Sequence, residues 1–214
     1  MIDVIYEDNH LLVVNKPVNV PICLDESNDL DLLSMAKEYI KKKYEKPGDV
    51  YLGLVHRLDR PVGGIVVFAR TSKAASRLAK QIQNHEFHKT YLAVVYDNGL
   101  KDKDQFVDYL EKDHKTNMVK VSKTGKKSIL DYEVLKRKDN LALVKINLMT
   151  GRSHQIRVQF SSRNHALWGD QRYNKTANVG EQIALFASEL TFKHPVTNEV
   201  LTFKQNIERY PFNI

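Results

Sequence analysis

The first candidate for chemistry in this sequence is an acidic residue in a short loop. Asp59 lies in the segment VHRLDRPVGG (residues 55–64), between two apolar stretches, and Arg57 and Arg60 place positive charge beside its carboxylate. Catalytic residues are often carried on loops that a rigid scaffold holds, and glycines allow a ligand or a backbone to approach closely. The segment is therefore a candidate active-site loop. A structural ion pair between Asp59 and an arginine is the alternative.

A second segment combines hydrogen-bonding and basic side chains. In LMTGRSHQIR (residues 148–157) we expect a helix to begin near Ser153, so that His154 and Arg157, three residues apart, share one face. Together with Arg152, such a helix start suits recognition of a phosphate or a carboxylate. A capped surface helix is the alternative.

A third segment, KTYLA (residues 89–93), places an aromatic residue near the start of a predicted strand. Tyr91 could stack on a base or a sugar. Taken alone, an aromatic side chain at this place is more often part of the hydrophobic core.

The elements that must position these residues include more strands than helices. A helix capped by Ser27 or Asn28 is expected to end in the lysine run at residues 41–43, and a second helix is expected after Thr71 or Ser72. Apolar runs and alternating patterns predict strands at residues 2–6, 11–14, 51–55, 64–69, 90–96, 105–110, 118–122, 128–135, 141–148, 184–192 and 200–203.

Short turns between these strands favour an α+β fold: a central mixed, largely antiparallel sheet with a few flanking helices. No linker or repeat interrupts the chain, so residues 1–214 are predicted to form a single domain. The lysine-rich stretch at residues 111–127 is expected to be a hairpin or a loop insertion.

Composition excludes several classes of protein. With 214 residues, 42% hydrophobic and 28% charged, the chain is typical of a globular protein and not of a disordered chain or a coiled coil. No apolar run is long enough to cross a membrane, and the first residues do not resemble a secretory signal. The single cysteine, Cys23, fits a reducing compartment. We therefore expect a cytoplasmic protein.

Charge is distributed unevenly along the chain. The net charge is +7, yet residues 1–50 hold six lysines, no arginine and ten acidic residues, which is a net charge of −4. Residues 51–214 hold 27 basic and 16 acidic residues, a net charge of +11. Lysine and arginine attract phosphates whatever the nucleotide sequence. The distribution is compatible with a polyanionic partner, and solvated protein surfaces are the alternative.

The segments taken together closely resemble the RNA pseudouridine synthases of the RluA type. That family carries the motifs HRLD, KxYxA and TGRxHQIR in this order, and here they occupy His56–Asp59, Lys89–Ala93 and Thr150–Arg157. The opening YEDNHLLVVNKP, the later WGD with a tyrosine three residues on, and the late His-Pro are also similar to the family. The resemblance covers essentially the whole chain.

The resemblance implies a role for several residues. Asp59 would be the catalytic aspartate, attacking a flipped-out uridine at C1′ or C6 or deprotonating the sugar, while Arg157 would pair with it. Tyr91 would stack on the target base, and Arg57 would fill the gap that the extruded nucleotide leaves. The remaining substrate-binding or RNA-binding candidates are His56, Arg60, Arg152, His154 and Ile156.

The resemblance also implies structured RNA, ribosomal or transfer, as partner. It implies no metal, no organic cofactor, no membrane and no obligate protein partner. The chain is expected to contain the catalytic domain alone, without the S4-type RNA-binding domain of many relatives. Pro61-Val62-Gly63-Gly64 stands where the family commonly has Thr-Ser-Gly, so hydrogen bonds from those hydroxyls are lost.

Two other functions remain open at this point. The first is a catalytically silent RNA-binding module on the same scaffold, which the presence of both Asp59 and Arg157 disfavours. The second is a hydrolase of nucleotides or glycosides, which would need a second acidic group across the bond.

Overall fold

The computed structural model describes residues 2–214, which contain three helices and eleven strands. The chain divides into two compact units. The first contains the residues up to Phe87 together with Glu189–Gln205, and the second contains His88–Ser188 and Asn206–Ile214.

The first unit is built on antiparallel strands that carry two helices. Its elements are β1 (Asp3–Glu7), β2 (Leu11–Lys16), α1 (Leu32–Lys43), β3 (Gly53–Leu54), β4 (Gly63–Ala69), α2 (Ser72–Gln83), the second part of β10 (Leu185–Lys193) and β11 (Val200–Lys204). Strand β2 pairs with β1 and β4, β3 also pairs with β4, and β10 pairs with β11, all antiparallel. All seven residues of β4 are buried, so the Asp59 loop leads directly into the core of this unit.

The two helices of the first unit are capped by acidic or hydroxyl side chains. The side chain of Asp31 accepts a hydrogen bond from the backbone N–H of Ser34 and caps α1, so the predicted caps Ser27 and Asn28 were wrong. Thr71 caps α2 as predicted, accepting from the backbone N–H of Ala74 at 3.1 Å. Asp31 directly precedes the first residue of α1 and is buried, whereas Ser27 and Asn28 are exposed and lie further from the helix.

The second unit consists of long antiparallel strands and one short helix. Its elements are β5 (His88–Tyr96), β6 (Lys103–Asp113), β7 (Met118–Val121), β8 (Lys126–Lys138), β9 (Leu141–Leu148), α3 (Gln155–Ser161) and the first part of β10. The strand order is β5-β9-β8-β6-β7, with every pairing antiparallel. The end of β9 and the start of α3 therefore frame the loop that contains Thr150, Gly151 and Arg152.

The predicted fold class is confirmed, including the mixed, largely antiparallel sheet. The lysine-rich stretch at residues 111–127 forms a hairpin, because β7 folds back on β6. The strand expected at residues 51–55 is shortened to the two residues of β3. The single-domain assignment stays a prediction.

Candidate active site

The Asp59 loop connects β3 to β4 and ends in a hydrogen-bonded turn. The backbone N–H of Val62 donates to the carbonyl oxygen of Asp59 at 2.9 Å. Leu58 and Val62 are buried, Asp59 is partly buried, and Arg57 is exposed. The loop is thus anchored on either side of the acidic residue by apolar side chains, while a cationic side chain remains available at the surface.

A buried lysine forms hydrogen bonds with the backbone of this turn. Lys16, the last residue of β2, is 1% exposed. Its ammonium donates hydrogen bonds to the carbonyl oxygens of Pro17 (3.0 Å), Arg60 (2.9 Å) and Val62 (2.8 Å). Two of these acceptors belong to the turn that carries Asp59, so Lys16 fixes the backbone conformation of the candidate catalytic loop.

The electrostatics of Lys16 link it to the same loop. Burial lowers the pKa of Lys16 to about 8, the negative charge of Asp59 opposes this decrease, and the positive charge of Arg60 adds to it. A buried ammonium is tolerated because its three protons meet three carbonyl oxygens. The Asp59 carboxylate is therefore influenced by the buried Lys16 ammonium as well as by the arginines of its own loop.

Arg60 is directed toward acidic neighbours of the first unit. Its guanidinium forms an ion pair with Asp29, lies 3.7 Å from Asp25 and donates to the hydroxyl of Ser27 at 2.9 Å. Arg60 thereby holds the pKa of the Asp29 carboxyl below its usual value. These groups are largely exposed, so the pairs contribute little stability.

His56 is connected to the core of the first unit. Its Nε2 accepts a hydrogen bond from the backbone N–H of Val67 at 3.1 Å, and its ring centroid lies 5.4 Å from that of Phe87. These contacts support the loop conformation. The RNA contact proposed for His56 stays a prediction.

In the second unit, Arg157 forms a buried bidentate ion pair. Its Nε donates to Oδ2 of Asp170 at 2.8 Å, and its Nη2 donates to Oδ1 at 2.6 Å. The guanidinium carbon lies 5.2 Å from the ring centroid of Tyr173. Since a planar guanidinium matches a carboxylate in this geometry, Asp170 fixes the orientation of the Arg157 side chain.

His154 lies before α3 and not within it. The residue adopts a left-handed conformation (φ 51°) at the N-cap position, and its Nδ1 is 2.7 Å from the hydroxyl oxygen of Tyr173. The helix expected near Ser153 is present as α3, but it begins at Gln155, so only the placement of His154 on its face was wrong. The same Tyr173 hydroxyl accepts from the backbone N–H of Val119 at 2.9 Å, and burial raises the pKa of Tyr173.

The loop before α3 is fixed by a buried glutamine. Oε1 of Gln155 accepts from the Thr150 hydroxyl at 2.8 Å and from the backbone N–H of Arg152 at 3.1 Å. The Gln155 side-chain amide donates to the Ile129 carbonyl oxygen at 3.1 Å. The exposed side chain of Arg152 donates to the Lys127 carbonyl oxygen at 3.3 Å. Thr150 and Gln155 thus stabilise this loop, a structural role that the sequence pattern did not predict.

Tyr91 and Ile156 are both buried in the second unit. Tyr91 is 6% exposed in β5, where it is opposite Ile146, and Ile156 is 5% exposed in α3. Asp59, Arg57, Arg60 and His56 share one loop of the first unit, whereas the other site candidates belong to the second. The convergence of Asp59, Tyr91 and Arg157 stays a prediction.

Sequence reasoning missed Lys16, Asp170 and Tyr173 as supporting residues. A lysine that ends the apolar strand LLVVNK was the available signal for Lys16. The motif WGD and the tyrosine after it contributed only to the family resemblance, and the sequence did not predict that Asp170 and Tyr173 contact Arg157.

Neither a metal cluster nor a membrane span is found in residues 2–214. No three histidine, cysteine, aspartate or glutamate side chains among these residues are grouped to hold a metal ion. Within the same range, no helix has the length and apolar character needed to cross a membrane.

Comparison with known proteins identifies the family. The family model described as RNA pseudouridylate synthase matches residues 10–162, which include the Asp59 loop, β5 and α3. The chain belongs to the RNA pseudouridylate synthase family. As a pseudouridine synthase it is an isomerase. The proteins similar to it include the dual-specificity RNA pseudouridine synthase RluA of Haemophilus influenzae, 33% identical over 94% of this chain and 91% of that protein.

Other relatives have the same assignment. The RluA protein of Escherichia coli K12 is 31% identical over 94% of this pseudouridine synthase and 91% of its own length. The ribosomal large subunit pseudouridine synthase D of Zymomonas mobilis is 30% identical over 94% of this chain and 68% of its own length. The solved structure of human RNA pseudouridylate synthase domain containing 4 superposes with a TM-score of 0.80 at 21% identity, covering 99% of this chain and 90% of the human one, which shows the shared fold.

Proposed function

We propose that this pseudouridine synthase converts specific uridines of structured ribosomal or transfer RNA to pseudouridine, with Asp59 as the catalytic carboxylate. In this reaction the uracil detaches from the sugar at N1, turns and rejoins through C5. The C5 proton leaves and N1 gains a proton, so atoms balance without oxidant or reductant. Attack at C1′, attack at C6 and deprotonation of the sugar remain alternative first steps.

The observation that carries this proposal is the fixed turn around Asp59. A catalytic carboxylate must be held in place while the nucleoside changes orientation. The turn hydrogen bond from Val62 and the two hydrogen bonds from the buried Lys16 ammonium supply this rigidity without using the Asp59 carboxylate itself.

Arg157 and Tyr91 support the proposal through their burial. Both are about 6% exposed, and the bidentate pair with Asp170 fixes the Arg157 guanidinium in one orientation. We propose that Arg157 pairs with the catalytic carboxylate and that Tyr91 stacks on the extruded uracil and helps to remove the C5 proton.

RNA as the partner is supported by charge and by the relatives. Residues 51–214 hold 27 basic and 16 acidic side chains, and one relative is named for the large ribosomal subunit. Candidate contacts to the RNA are Arg57, His56, Arg60, Arg152, His154 and Ile156. The cytoplasmic location inferred from the sequence stays a prediction.

The proposal is tested by Asp59→Asn, which keeps the size of the side chain and removes its charge. Total RNA from cells that lack this gene is incubated with the wild-type protein or the variant, and pseudouridine is mapped at each uridine. We expect the wild type to restore specific pseudouridines and the variant to restore none, while its RNA affinity stays within a few-fold.

Other outcomes separate the rival functions. Full activity of Asp59→Asn would remove Asp59 from its assigned role. RNA binding by the wild type without any new pseudouridine would favour the silent RNA-binding module. Release of free uracil in place of pseudouridine would favour the hydrolase.

A further inference from the structure

Lys89 is a partly buried cation to which the reaction described above gives no role. It is the second residue of β5, and alternation along a strand places its side chain on the same face as that of Tyr91. Its ammonium nitrogen lies close to Gly151, since a Cβ atom built on that glycine would be 3.0 Å from it. The Lys89 ammonium therefore lies between β5 and the loop that precedes α3.

The surroundings of this ammonium contain no compensating charge. Within residues 2–214, no carboxylate forms an ion pair with Lys89 and no side chain or carbonyl accepts a hydrogen bond from it. Burial lowers the pKa of Lys89, and no opposing negative charge acts on it. Lys16 differs in this respect, because three carbonyl oxygens surround its ammonium.

A partly desolvated ammonium without a counter-charge costs free energy in the unbound protein. Such a group is retained more readily where a ligand supplies the missing negative charge. The loop beside it is already fixed, because Gln155 holds both Thr150 and the backbone of Arg152. An anion would therefore meet a preformed site with one unsatisfied cation.

We propose that Lys89 binds a phosphate of the RNA substrate, next to the nucleotide that Tyr91 receives. Two residues of a strand are about 7 Å apart, a separation that a single nucleotide can span between its base and its phosphate. The inference rests on the proposed function, since it is the stacking of uridine on Tyr91 that brings a phosphate to this position.

The inference is tested by Lys89→Met in the full chain. The probe is a hairpin RNA with an all-uridine loop, and its dissociation constant is measured by fluorescence anisotropy between about 50 and 200 mM salt. Loss of one charge-assisted hydrogen bond is expected to weaken binding about tenfold. The slope of log affinity against log salt should decrease by about 0.7, the value for one phosphate of a single strand.

Two variants and a second measurement make the test specific. Lys89→Arg keeps the charge and should keep most of the salt dependence. Lys42→Met removes an exposed lysine of α1, 77% exposed at its side chain, and should change the slope little. In the absence of RNA, the thermal midpoint of Lys89→Met should not fall, because the substitution removes a partly desolvated charge that has no ion-pair partner.

The outcomes distinguish this inference from the proposed function. A Lys89→Met protein with the affinity and slope of Lys42→Met would overturn the phosphate site, and so would a variant that unfolds more easily or fails to fold. Absence of pseudouridine with the wild-type protein would instead overturn the proposed function, whatever the binding measurements show.

Discussion

Replacing Lys16 by methionine tests how the candidate catalytic turn is held. The substitution keeps the length and apolar stem of the side chain and removes the ammonium that binds the carbonyl oxygens of Pro17, Arg60 and Val62. The two chains then differ in three hydrogen bonds and in the cost of burying one charge.

These two contributions have opposite signs. Three hydrogen bonds from a charged donor stabilise the fold by about 4.5 kcal/mol in total, at about 1.5 kcal/mol each. The decrease of the Lys16 pKa from 10.5 to about 8 corresponds to a burial cost of about 3.4 kcal/mol. Lys16→Met is therefore expected to lower the free energy of unfolding at neutral pH by about 1 kcal/mol, which is a decrease of about 2–4 °C in Tm.

The pH dependence of the difference gives a sharper test. Because the folded-state pKa of Lys16 lies below that of the unfolded chain, the unfolded chain binds more protons here between about pH 8 and 10.5. The stability contribution of this group therefore rises with pH across that window, by up to about 3 kcal/mol. The methionine variant lacks this rise, so the stability difference between the two proteins should widen as the pH increases.

The assay is urea unfolding of both proteins at neutral pH and at about pH 10. Lys42→Met serves as the exposed-lysine control and should change the free energy of unfolding by less than about 0.5 kcal/mol. A stability difference that stays constant or shrinks as the pH rises would refute the reasoning. The kcat of Lys16→Met for pseudouridine formation should also decrease, by up to about 100-fold, while KM for RNA stays within a few-fold because the surface charges are unchanged.

Two further predictions concern the arginines of the site. Arg157→Met leaves the buried carboxylate of Asp170 without its guanidinium partner and should destabilise the protein by about 3–5 kcal/mol in urea unfolding; a loss below about 1 kcal/mol, or a loss equal to that of the exposed control Arg152→Met, would contradict the structural role of the pair. Arg57→Ala removes an exposed side chain and should reduce RNA affinity or turnover several-fold with little change in Tm. An unchanged rate on folded RNA would remove Arg57 from base extrusion.

Local patterns in the sequence determined much of this protein. The apolar run GIVVFA (residues 64–69) predicted the buried strand β4, and Thr71 or Ser72 before an apolar periodicity predicted the start of α2. The order of the HRLD, KxYxA and TGRxHQIR motifs identified the family and the loops that carry the candidate site. These features can be predicted from the sequence because each depends on residues close together in the chain.

The tertiary structure decided the partners of the charged groups. The carbonyl acceptors of Lys16 in the Asp59 turn are 44 and 46 residues away, and Asp170 is 13 residues from Arg157. No periodicity encodes such pairs, because they form only when separate segments pack and exclude water around a charge. For the same reason, the sequence showed Lys89 as one lysine among many, whereas its partly desolvated position beside Gly151 without a counter-charge is a property of the folded chain alone.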